Sequence, residues 1–490
     1  MNAFSVGNLS VAFLGTFLGI VFGAIPGVGP TEGVALLVPF TYAMNPAQAL
    51  IFLGSTYQGG TYGGQIAAIL YKIPGSSEAI CTVLDGYTMA QKGEAGRALS
   101  LGLISSVFGG LIGVLALIFI TPFLANVALS FSPAEYFGLG VLGLSAISGI
   151  GQFPVKGVIT ALLGLLIATI GIDSISGTIR FAFGSAFFMS GIPLVPALIG
   201  LFAASEVFYN VGERIWLRTK KKGSSQDDRI NITSMLEILQ YKWTILRSTV
   251  IGVIIGVLPG VGATTAGILS YNSELRINSQ PDEFGKGKAE GIVAPEVANN
   301  AAVGGAMVPL LSLGIPGSGT TAVMLAAFLI HGLRPGPLLM IEQPELVYTL
   351  FGGMLIGVAA LFIVATLLVK VFVKTLSLPY EILALVILSF CVIGSLVVSG
   401  SVHGVWIMFL FGVIGYLMRL FDYPTAPMLI GLVLGPIMEP ALRRALLMNG
   451  GSLYAVVMRP ITLACLVLSV VVFFYPYISN LWKCRLKNGG

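Results

Sequence analysis

Long apolar runs separated by short polar stretches extend along the whole chain. A helix that crosses a bilayer needs about 20 apolar residues, and runs close to that length occur at residues 11–25, 99–125, 136–150, 155–170, 181–208 and 244–258 and repeatedly between 347 and 475. They are too long and too continuous for the alternating strands of an outer-membrane barrel. The pattern predicts an all-α polytopic membrane protein with about eleven or twelve transmembrane helices.

Glycine and proline interrupt four apolar segments, and the interruptions form two related pairs. GAIPGVGPT at residues 23–31 recurs as GVLPGVGAT at 256–264, with six of nine positions identical. YGGQIAAILYKIPGSS at 62–77 recurs, with one inserted residue, as VGGAMVPLLSLGIPGSG at 303–319. The chain is therefore predicted to contain two repeat halves, residues 1–212 and 244–490, joined by a basic linker and amphipathic lead-in at 213–243.

Each interruption predicts a broken helix around a cavity. Lipid offers no partners to freed backbone groups, so irregular backbone survives in a membrane only where protein encloses it. We expect a helix from 31 to 40 after the first break, a re-entrant hairpin around 65–77 and a polar loop at 272–288. A helix that starts inside the membrane presents unpaired N–H groups and attracts anions. Paired broken helices in two halves indicate the binding site of a secondary transporter.

Composition supports a membrane location. Hydrophobic residues make up 56% of the chain and charged residues 10%, against about a quarter charged in soluble proteins. The net charge of +5 is modest and does not indicate nucleic-acid binding. The basic residues cluster in the linker at 214–229 and at 483–487, which should both be cytoplasmic. The first 71 residues contain neither Lys nor Arg, which argues against a signal peptide and predicts an external N-terminus and inverted repeats.

The candidate substrate site consists of the residues at the four interruptions. Glycine and proline are also common in membrane helices as packing and kink residues, but their repetition in both halves favours a cavity. The candidates are Pro26, Gly27, Gly29, Thr31, Gly63, Gly64, Pro74, Gly75, Ser76, Pro259, Gly260, Gly262, Thr264, Gly304, Gly305, Pro316, Gly317, Ser318 and Thr320.

Polar side chains within apolar sequence add further candidates. Asn299 and Asn300 could bond neighbouring helices, or one of them could bind the substrate or a Na⁺ ion. Glu296, one turn earlier, could take a cation or a proton. Asp85 fits a loop-end role as well as a functional one. Arg443 is expected to form an ion pair with Glu439 or to anchor the chain at the cytoplasmic surface.

At these motifs the sequence resembles the large membrane subunit of the tripartite tricarboxylate transporter family, the TctA type. The resemblance covers PGVGPT at 26–31, YGG and IPG within 62–75, PGVGATTAGILSYNSE at 259–274, the long block at 284–325 and LGPIMEPALRRAL at 434–446. It implies a secondary carrier of the bacterial inner membrane that imports tricarboxylates or related carboxylates. It also implies a Na⁺ or H⁺ gradient, a periplasmic solute-binding protein, a small membrane subunit and an elevator-like movement.

Two residues depart from the family pattern. Glu32 and Lys72 flank the first-half interruptions where uncharged residues are common. We expect them to pair with each other, or Lys72 to engage the substrate, so both are specificity candidates.

Two other classes of protein compete with this assignment. A carboxylate carrier or channel that needs no binding protein is the main alternative. A membrane enzyme is disfavoured, because the sequence has two scattered histidines, no P-loop and no metal-ligand spacing. No cofactor is expected apart from the coupling ion.

Overall fold

The computed structural model describes residues 2–25, 27–150, 154–212, 236–375 and 380–487, and these residues are mainly helical. In the first half the helices are α1 (Val6–Ala24), α2 (Pro30–Leu37), α3 (Pro46–Tyr71), α4 (Thr82–Gln91), α5 (Ala95–Ala128), α6 (Pro133–Ile150), α7 (Pro154–Ala168), α8 (Ala186–Met189), α9 (Leu194–Leu198) and α10 (Ser205–Gly212). A two-stranded antiparallel hairpin, β1 (Gly171–Ile172) and β2 (Ile179–Arg180), follows α7. Pro26 and most of the predicted linker, 213–235, lie outside the described residues.

The second half repeats the pattern of interrupted helices and then continues with longer ones. Its helices are α11 (Lys242–Val257), α12 (Gly262–Ile277), α13 (Glu290–Leu313), α14 (Gly319–Ile330), α15 (Pro337–Glu342), α16 (Pro344–Thr375), α17 (Tyr380–Ser399), α18 (Val402–Leu420), α19 (Thr425–Met448), α20 (Leu453–Val457) and α21 (Pro460–Lys487). Short 3₁₀ segments at Val38–Ala43, Ser77–Ala79 and Glu237–Tyr241 precede or follow these helices.

By length and composition, eight helical segments among the described residues could cross a membrane. They are Val6–Ala24, Ala95–Ala128, Leu194–Val211, Glu237–Val257, Pro344–Val369, Ile382–Ser399, Val402–Leu420 and Thr425–Met448. Pro154–Ala168 and Gly319–Ile330 are apolar but shorter, and α21 contains the apolar stretch Pro460–Phe474. The expected all-α polytopic membrane protein is confirmed. The eight segments are fewer than the predicted number of about eleven or twelve, because α3 and α13 are long enough to cross but less apolar, and two other apolar helices are short.

Two helices, α3 and α13, form the centre of the protein. Every residue from Ala49 to Ile69 of α3 is buried, and so is every residue from Gly291 to Leu313 of α13. A helix that is enclosed on all sides belongs in the core of a large protein. These two helices also carry the glycine doublets and the asparagine pair singled out in the sequence, and each of them ends at an interruption.

Glycine allows the helices around this core to touch backbone to backbone. A Cβ atom at Gly19 of α1 would overlap the carbonyl of Thr56 in α3, and one at Gly252 of α11 would overlap the carbonyl of Ala298 in α13. Gly19 and Gly252 occupy equivalent positions in the two sequence copies. Small residues at four-residue spacing permit such close packing without a hydrophobic driving force. The two halves therefore use the same contact between their first and third helical segments.

Three predicted boundaries are wrong. The span expected at 181–208 is a continuous helical segment only from Leu194, because the left-handed Gly184 and Gly191 and then Pro193 leave only the short α8 before it. The polar loop expected from 272 begins after Ile277, since Glu274 is satisfied inside the fold by Arg247, with Nη2 2.8 Å from Oε2. The segment 65–71 is no separate hairpin arm. It is the end of the 26-residue α3, whose glycines pack against α1 and leave the helix intact.

Asp85 anchors a loop. Its Oδ1 accepts hydrogen bonds from the backbone N–H groups of Gly285, Gly287 and Lys288 at 2.8 to 2.9 Å, and its Oδ2 accepts one from the Tyr271 hydroxyl at 3.1 Å. The carboxylate therefore ties α4 to the loop between α12 and α13. This geometry supports the loop-end role that the sequence left open.

The β-hairpin is fastened to α19 by ion pairs. Arg443 Nη1 lies 2.5 Å from Asp173 Oδ2 and 3.3 Å from Glu439 Oε1, and Arg180 Nη1 lies 2.6 Å from Glu439 Oε1. The expected pair between Arg443 and Glu439 is confirmed, but the sequence did not reveal the hairpin partners. The hydrogen bond from Arg443 holds the pKa of Asp173 well below its usual range.

We predict that Gly304→Ala destabilises the protein. The new methyl group would overlap the backbone of Gly113 in α5, and overpacking of this kind costs about 1–3 kcal/mol. Thermal unfolding of the purified protein in detergent measures the change. Gly143→Ala is the matched control, because its Cβ would have no neighbour closer than 3.6 Å, and a stability equal to the unchanged protein is expected there. Equal unfolding temperatures for Gly304→Ala and the unchanged protein would contradict the packing argument.

The ion pair at Asp173 predicts a pH-dependent stability difference. A carboxyl whose pKa is lowered by folding stabilises the native state above its unfolded pKa, near 4, and this contribution disappears as the pH falls through the folded pKa. Asp173→Asn should therefore lower the unfolding temperature at pH 7, and the difference from the unchanged protein should shrink in acid. Asp282→Asn, in an exposed loop, serves as the control. A difference that persists undiminished in acid would contradict the assignment.

Candidate functional site

Four helix interruptions, one in each predicted position, organise the site. The first break, 25–29, separates α1 from α2, and the second break, 72–76, follows α3. The third break, 258–261, separates α11 from α12, and the fourth break, 314–318, separates α13 from α14. Each contains a residue with left-handed backbone: Gly27, Lys72, Gly260 and Gly314, with φ between 61° and 84°. Such a residue reverses the chain at the end of a helix.

Within each half the two breaks lie against each other. The N–H of Gly27 donates a hydrogen bond to the carbonyl of Gly75 at 3.1 Å. In the second half, a Cβ at Gly262 would lie 3.6 Å from the Cβ of Ser318. In the first half, a backbone N–H released at the first break is thus satisfied by a carbonyl of the second break, as buried irregular backbone requires.

Two hydroxyl pairs join the halves. Thr31 Oγ1 lies 2.7 Å from Thr320 Oγ1, and Thr264 Oγ1 lies 3.0 Å from Ser77 Oγ. Thr31 and Thr264 are equivalent residues of the two sequence copies. Each contacts the helix start that follows the Ile-Pro-Gly break of the other half. All four breaks therefore converge on one region.

Helix starts surround this region. α2 begins at Pro30, α12 at Gly262 and α14 at Gly319, and a 3₁₀ turn begins at Ser77. Ser318 caps α14 together with Thr321, and it also lies 3.2 Å from the Tyr57 hydroxyl. The N-cap residue of α12 provides no side-chain cap. At the start of α2 the first-turn carboxylate of Glu32 lies next to the N-cap residue, Gly29. First-turn N–H groups without intrahelical partners are the usual donors to bound anions.

The sequence candidates divide into two groups by their surroundings. Residues of the breaks and helix starts lie in the convergent region: Gly27, Gly29, Thr31, Pro74, Gly75, Ser76, Pro259, Gly260, Gly262, Thr264, Pro316, Gly317, Ser318 and Thr320. At the doublets Gly63–Gly64 and Gly304–Gly305, atoms of α1, the second break, α5 and α11 occupy the space that a side chain would need. Their environment is that of close helix packing. Pro26 lies outside the described residues.

A buried polar cluster adjoins the second break. Glu296 of α13 is fully buried; its Oε1 accepts a hydrogen bond from Thr82 at 2.5 Å, and Oε2 lies 3.3 Å from Ser106 Oγ. Asn299 Nδ2 lies 3.4 Å from Glu296 Oε2 and 3.3 Å from the carbonyl of Glu78. Asn300 donates to Asn299 Oδ1 at 2.7 Å. Within the described part of the chain, no cationic side chain pairs with Glu296. The carboxyl group therefore has hydrogen-bond partners but no counter-ion in this part of the structure.

The structure adds three residues that sequence reasoning missed. Arg419 of α18 contacts the carboxylate of Glu206 in α10 and lies 4.0 Å from Glu32 Oε1. Asn210 donates to Glu206 Oε1 at 2.7 Å, and both side chains lie against Gly27 of the first break. An isolated ionisable residue in an apolar span was the available signal. The sequence could not show that α10 and α18 meet there.

Glu32 and Lys72 are not brought into an ion pair. The cation next to Glu32 is Arg419, whereas the exposed Lys72 places its ammonium 5.6 Å from the centre of the Tyr87 ring. Lys72 has φ 61°, a conformation that costs an L-residue about 1–2 kcal/mol. A cation at a helix C-terminus recovers only about 0.3–1 kcal/mol. Local structure alone therefore does not account for a lysine here.

Comparison with known proteins gives the same picture over nearly the whole chain. Residues 9–430 match the family described as "Tripartite tricarboxylate transporter TctA family". A 52.8 kDa protein of Agrobacterium vitis from the TAR-I ttuC′ 3′ region is 36% identical over 484 residues, covering 95% of this chain and 93% of the relative. A second A. vitis protein, from the TAR-II ttuC′ 3′ region, is 37% identical over 220 residues, covering 45% of this chain and 91% of the relative. No solved structure matches.

The family match spans both copies of the Pro-Gly interruptions and both helices of the buried centre. It agrees with the multi-pass helical fold and with a transporter rather than an enzyme. The chain belongs to the TctA family of tripartite tricarboxylate transporters.

Proposed function

We propose that this protein is the large membrane subunit of a secondary transporter that imports tricarboxylates or related carboxylates into the bacterial cell. The observation that carries the proposal is the convergence of helix starts from both halves on one region. Three α-helices, α2, α12 and α14, begin there, and the N-cap residue of α12 contributes no side-chain cap. Such a region suits a multiply charged anion, which must exchange its hydration for fixed dipoles.

In this proposal the substrate carboxylates bind to backbone N–H groups and nearby hydroxyls. Thr31 and Thr264 each already bond a hydroxyl of the opposite half, so a bound carboxylate could replace or join both pairs. Ser76, Ser318 and Thr320 stand at the remaining helix starts. The glycines and prolines of the breaks hold these helix starts in position. The doublets Gly63–Gly64 and Gly304–Gly305 allow the surrounding helices to pack closely.

The coupling ion is proposed to bind beside the substrate, at Glu296, Asn299 and Asn300. Carboxylate and amide oxygens are ligands for Na⁺, and a buried carboxylate can also carry a proton. Asn299 joins this cluster to the second break through the carbonyl of Glu78. A cation bound there would offset part of the substrate's negative charge and link its movement to an ion gradient, whether of Na⁺ or H⁺.

We further propose that the two halves are inverted in the membrane and that α1–α4 and α11–α14 move together as an elevator against the remaining helices. The support is the exchange symmetry of the hydroxyl pairs, in which Thr31 and Thr264 play the same role in opposite halves. Inverted repeats with broken helices at their interface are a common transporter architecture. The inner membrane is the proposed location.

A periplasmic solute-binding protein and a small membrane subunit are the proposed partners, and the family name supports them. The test is uptake of radiolabelled citrate into liposomes that contain the chain and the proposed small subunit, with imposed Na⁺ or pH gradients. We expect uptake only with a gradient and with the binding protein present. Gradient-driven uptake of equal rate without the binding protein would instead favour a stand-alone carrier.

The hydroxyls at the helix starts supply a variant for the same assay. Hydrogen bonds to charged groups contribute about 1.5–3 kcal/mol each, so the double variant Thr31→Val/Thr264→Val should reduce citrate uptake about ten-fold or more. Ser389→Ala is the control, because this exposed hydroxyl bonds only its own helix at Leu385. Unchanged uptake by the double variant would remove these two residues from the substrate site.

A further inference from the structure

The second break carries a lysine where its counterpart in the second half carries glycine. Residues 71–75 read YKIPG and residues 313–317 read LGIPG. Lys72 has φ 61° and ψ 21°, and Gly314 has φ 72° and ψ 17°. The two residues therefore end α3 and α13 with the same left-handed turn. Glycine adopts this turn without strain, so the shape of the backbone does not require a lysine.

A strained residue is retained only where the surrounding structure or the function compensates for it. The Lys72 ammonium lies over the Tyr87 ring of α4, and it forms no ion pair with a carboxylate in the described part of the chain. Its side chain is exposed. The structural contacts of Lys72 therefore consist of a helix end and an aromatic face, and both would tolerate a neutral residue.

Lys72 is also the only formal positive charge at the breaks. Residues 25–29, 72–76, 258–261 and 314–318 contain no other Lys or Arg, and no basic residue precedes Lys72 in the chain. The helix starts offer only partial charges. Arg419, near the first break, is already engaged by Glu206 and Glu32. A third carboxylate on a bound substrate would find a full counter-charge only at Lys72.

We propose that Lys72 sets the number of carboxylates that the transporter accepts, by forming an ion pair with one carboxylate of a tricarboxylate while the helix starts hold the others. The proposal rests on carboxylate transport as proposed above. Tyr87 holds the ammonium near the break when no substrate is bound. Glycine at this position would relax the backbone and leave the site selective for dicarboxylates.

The test compares two substrates that differ by one carboxylate. Propane-1,2,3-tricarboxylate and pentanedioate share a carbon chain, and only the first carries the central carboxylate. The ratio of their uptake rates is measured in liposomes with the complete transporter for the unchanged protein, Lys72→Met and Lys72→Gly. Lys72→Met removes the charge but keeps the backbone strain, and Lys72→Gly removes both.

We expect both variants to lower the tricarboxylate-to-dicarboxylate ratio about ten-fold, the effect of losing one charge-assisted interaction, with dicarboxylate uptake preserved. We also expect Lys72→Gly to raise the unfolding temperature above that of Lys72→Met. Lys156→Met is the matched control, because Lys156 lies 5.0 Å from the Tyr423 ring centre in a similar cation–π contact. Its uptake ratio should equal that of the unchanged protein.

Two outcomes overturn the proposal, and they differ. In the first, the unchanged protein transports both compounds and Lys72→Met has the same tricarboxylate-to-dicarboxylate uptake ratio. Lys72 then does not discriminate substrates by their number of carboxylates, and the proposal of carboxylate transport is unaffected. If the unchanged protein, with its partners and either gradient, transports neither these compounds nor citrate, carboxylate transport itself is wrong and the role of Lys72 falls with it.

Discussion

Unsatisfied backbone groups inside an apolar protein govern this structure. Each of the four breaks frees N–H and C=O groups that lipid cannot satisfy. In the folded chain the breaks pack against one another. The N–H of Gly27 donates to the carbonyl of Gly75 within one half, and the hydroxyls of Thr31 and Thr320 are bonded across the halves. One broken helix alone would leave these groups unpaired. Four of them, placed against one another, create a polar region in a largely apolar molecule.

Close packing makes this arrangement possible. The enclosed helices α3 and α13 approach their neighbours closely enough that side chains would not fit at Gly19, Gly252 or Gly304. The breaks at the ends of these two helices are thereby held in fixed positions. Charged residues are few in this region. Arg419 pairs with Glu206 beside the first break. Glu78 and Glu296 are buried, and Glu78 Oε2 has no hydrogen-bond partner among the described residues. The ammonium of Lys72 has only an aromatic ring as partner among the described residues.

The likeness between the halves extends from sequence to contacts, but the halves are not identical. Thr31 and Thr264 each have a hydroxyl partner in the opposite half, whereas Gly314 and Lys72 share one backbone conformation with very different side chains. Glu296 and Asn299 of α13 align with Ser55 and Gln58 of α3, so the amide has a counterpart in the first half and the carboxylate does not. Because the two halves share a backbone arrangement but differ in side chains, one half can bind a different ligand from the other.

The sequence by itself determined the helical membrane class, the four breaks and the family, because apolar length and repeated Pro-Gly motifs are local properties of the chain. Only the tertiary structure decided that α3 runs unbroken through its glycines, that Asp85 anchors a loop, and that Glu32 meets Arg419 where Lys72 had been expected. Those outcomes depend on which distant helices pack together. The sequence does not distinguish a glycine in a helix break from a glycine in a tight helix contact. Nor does it show which side chain folding places next to a charged residue.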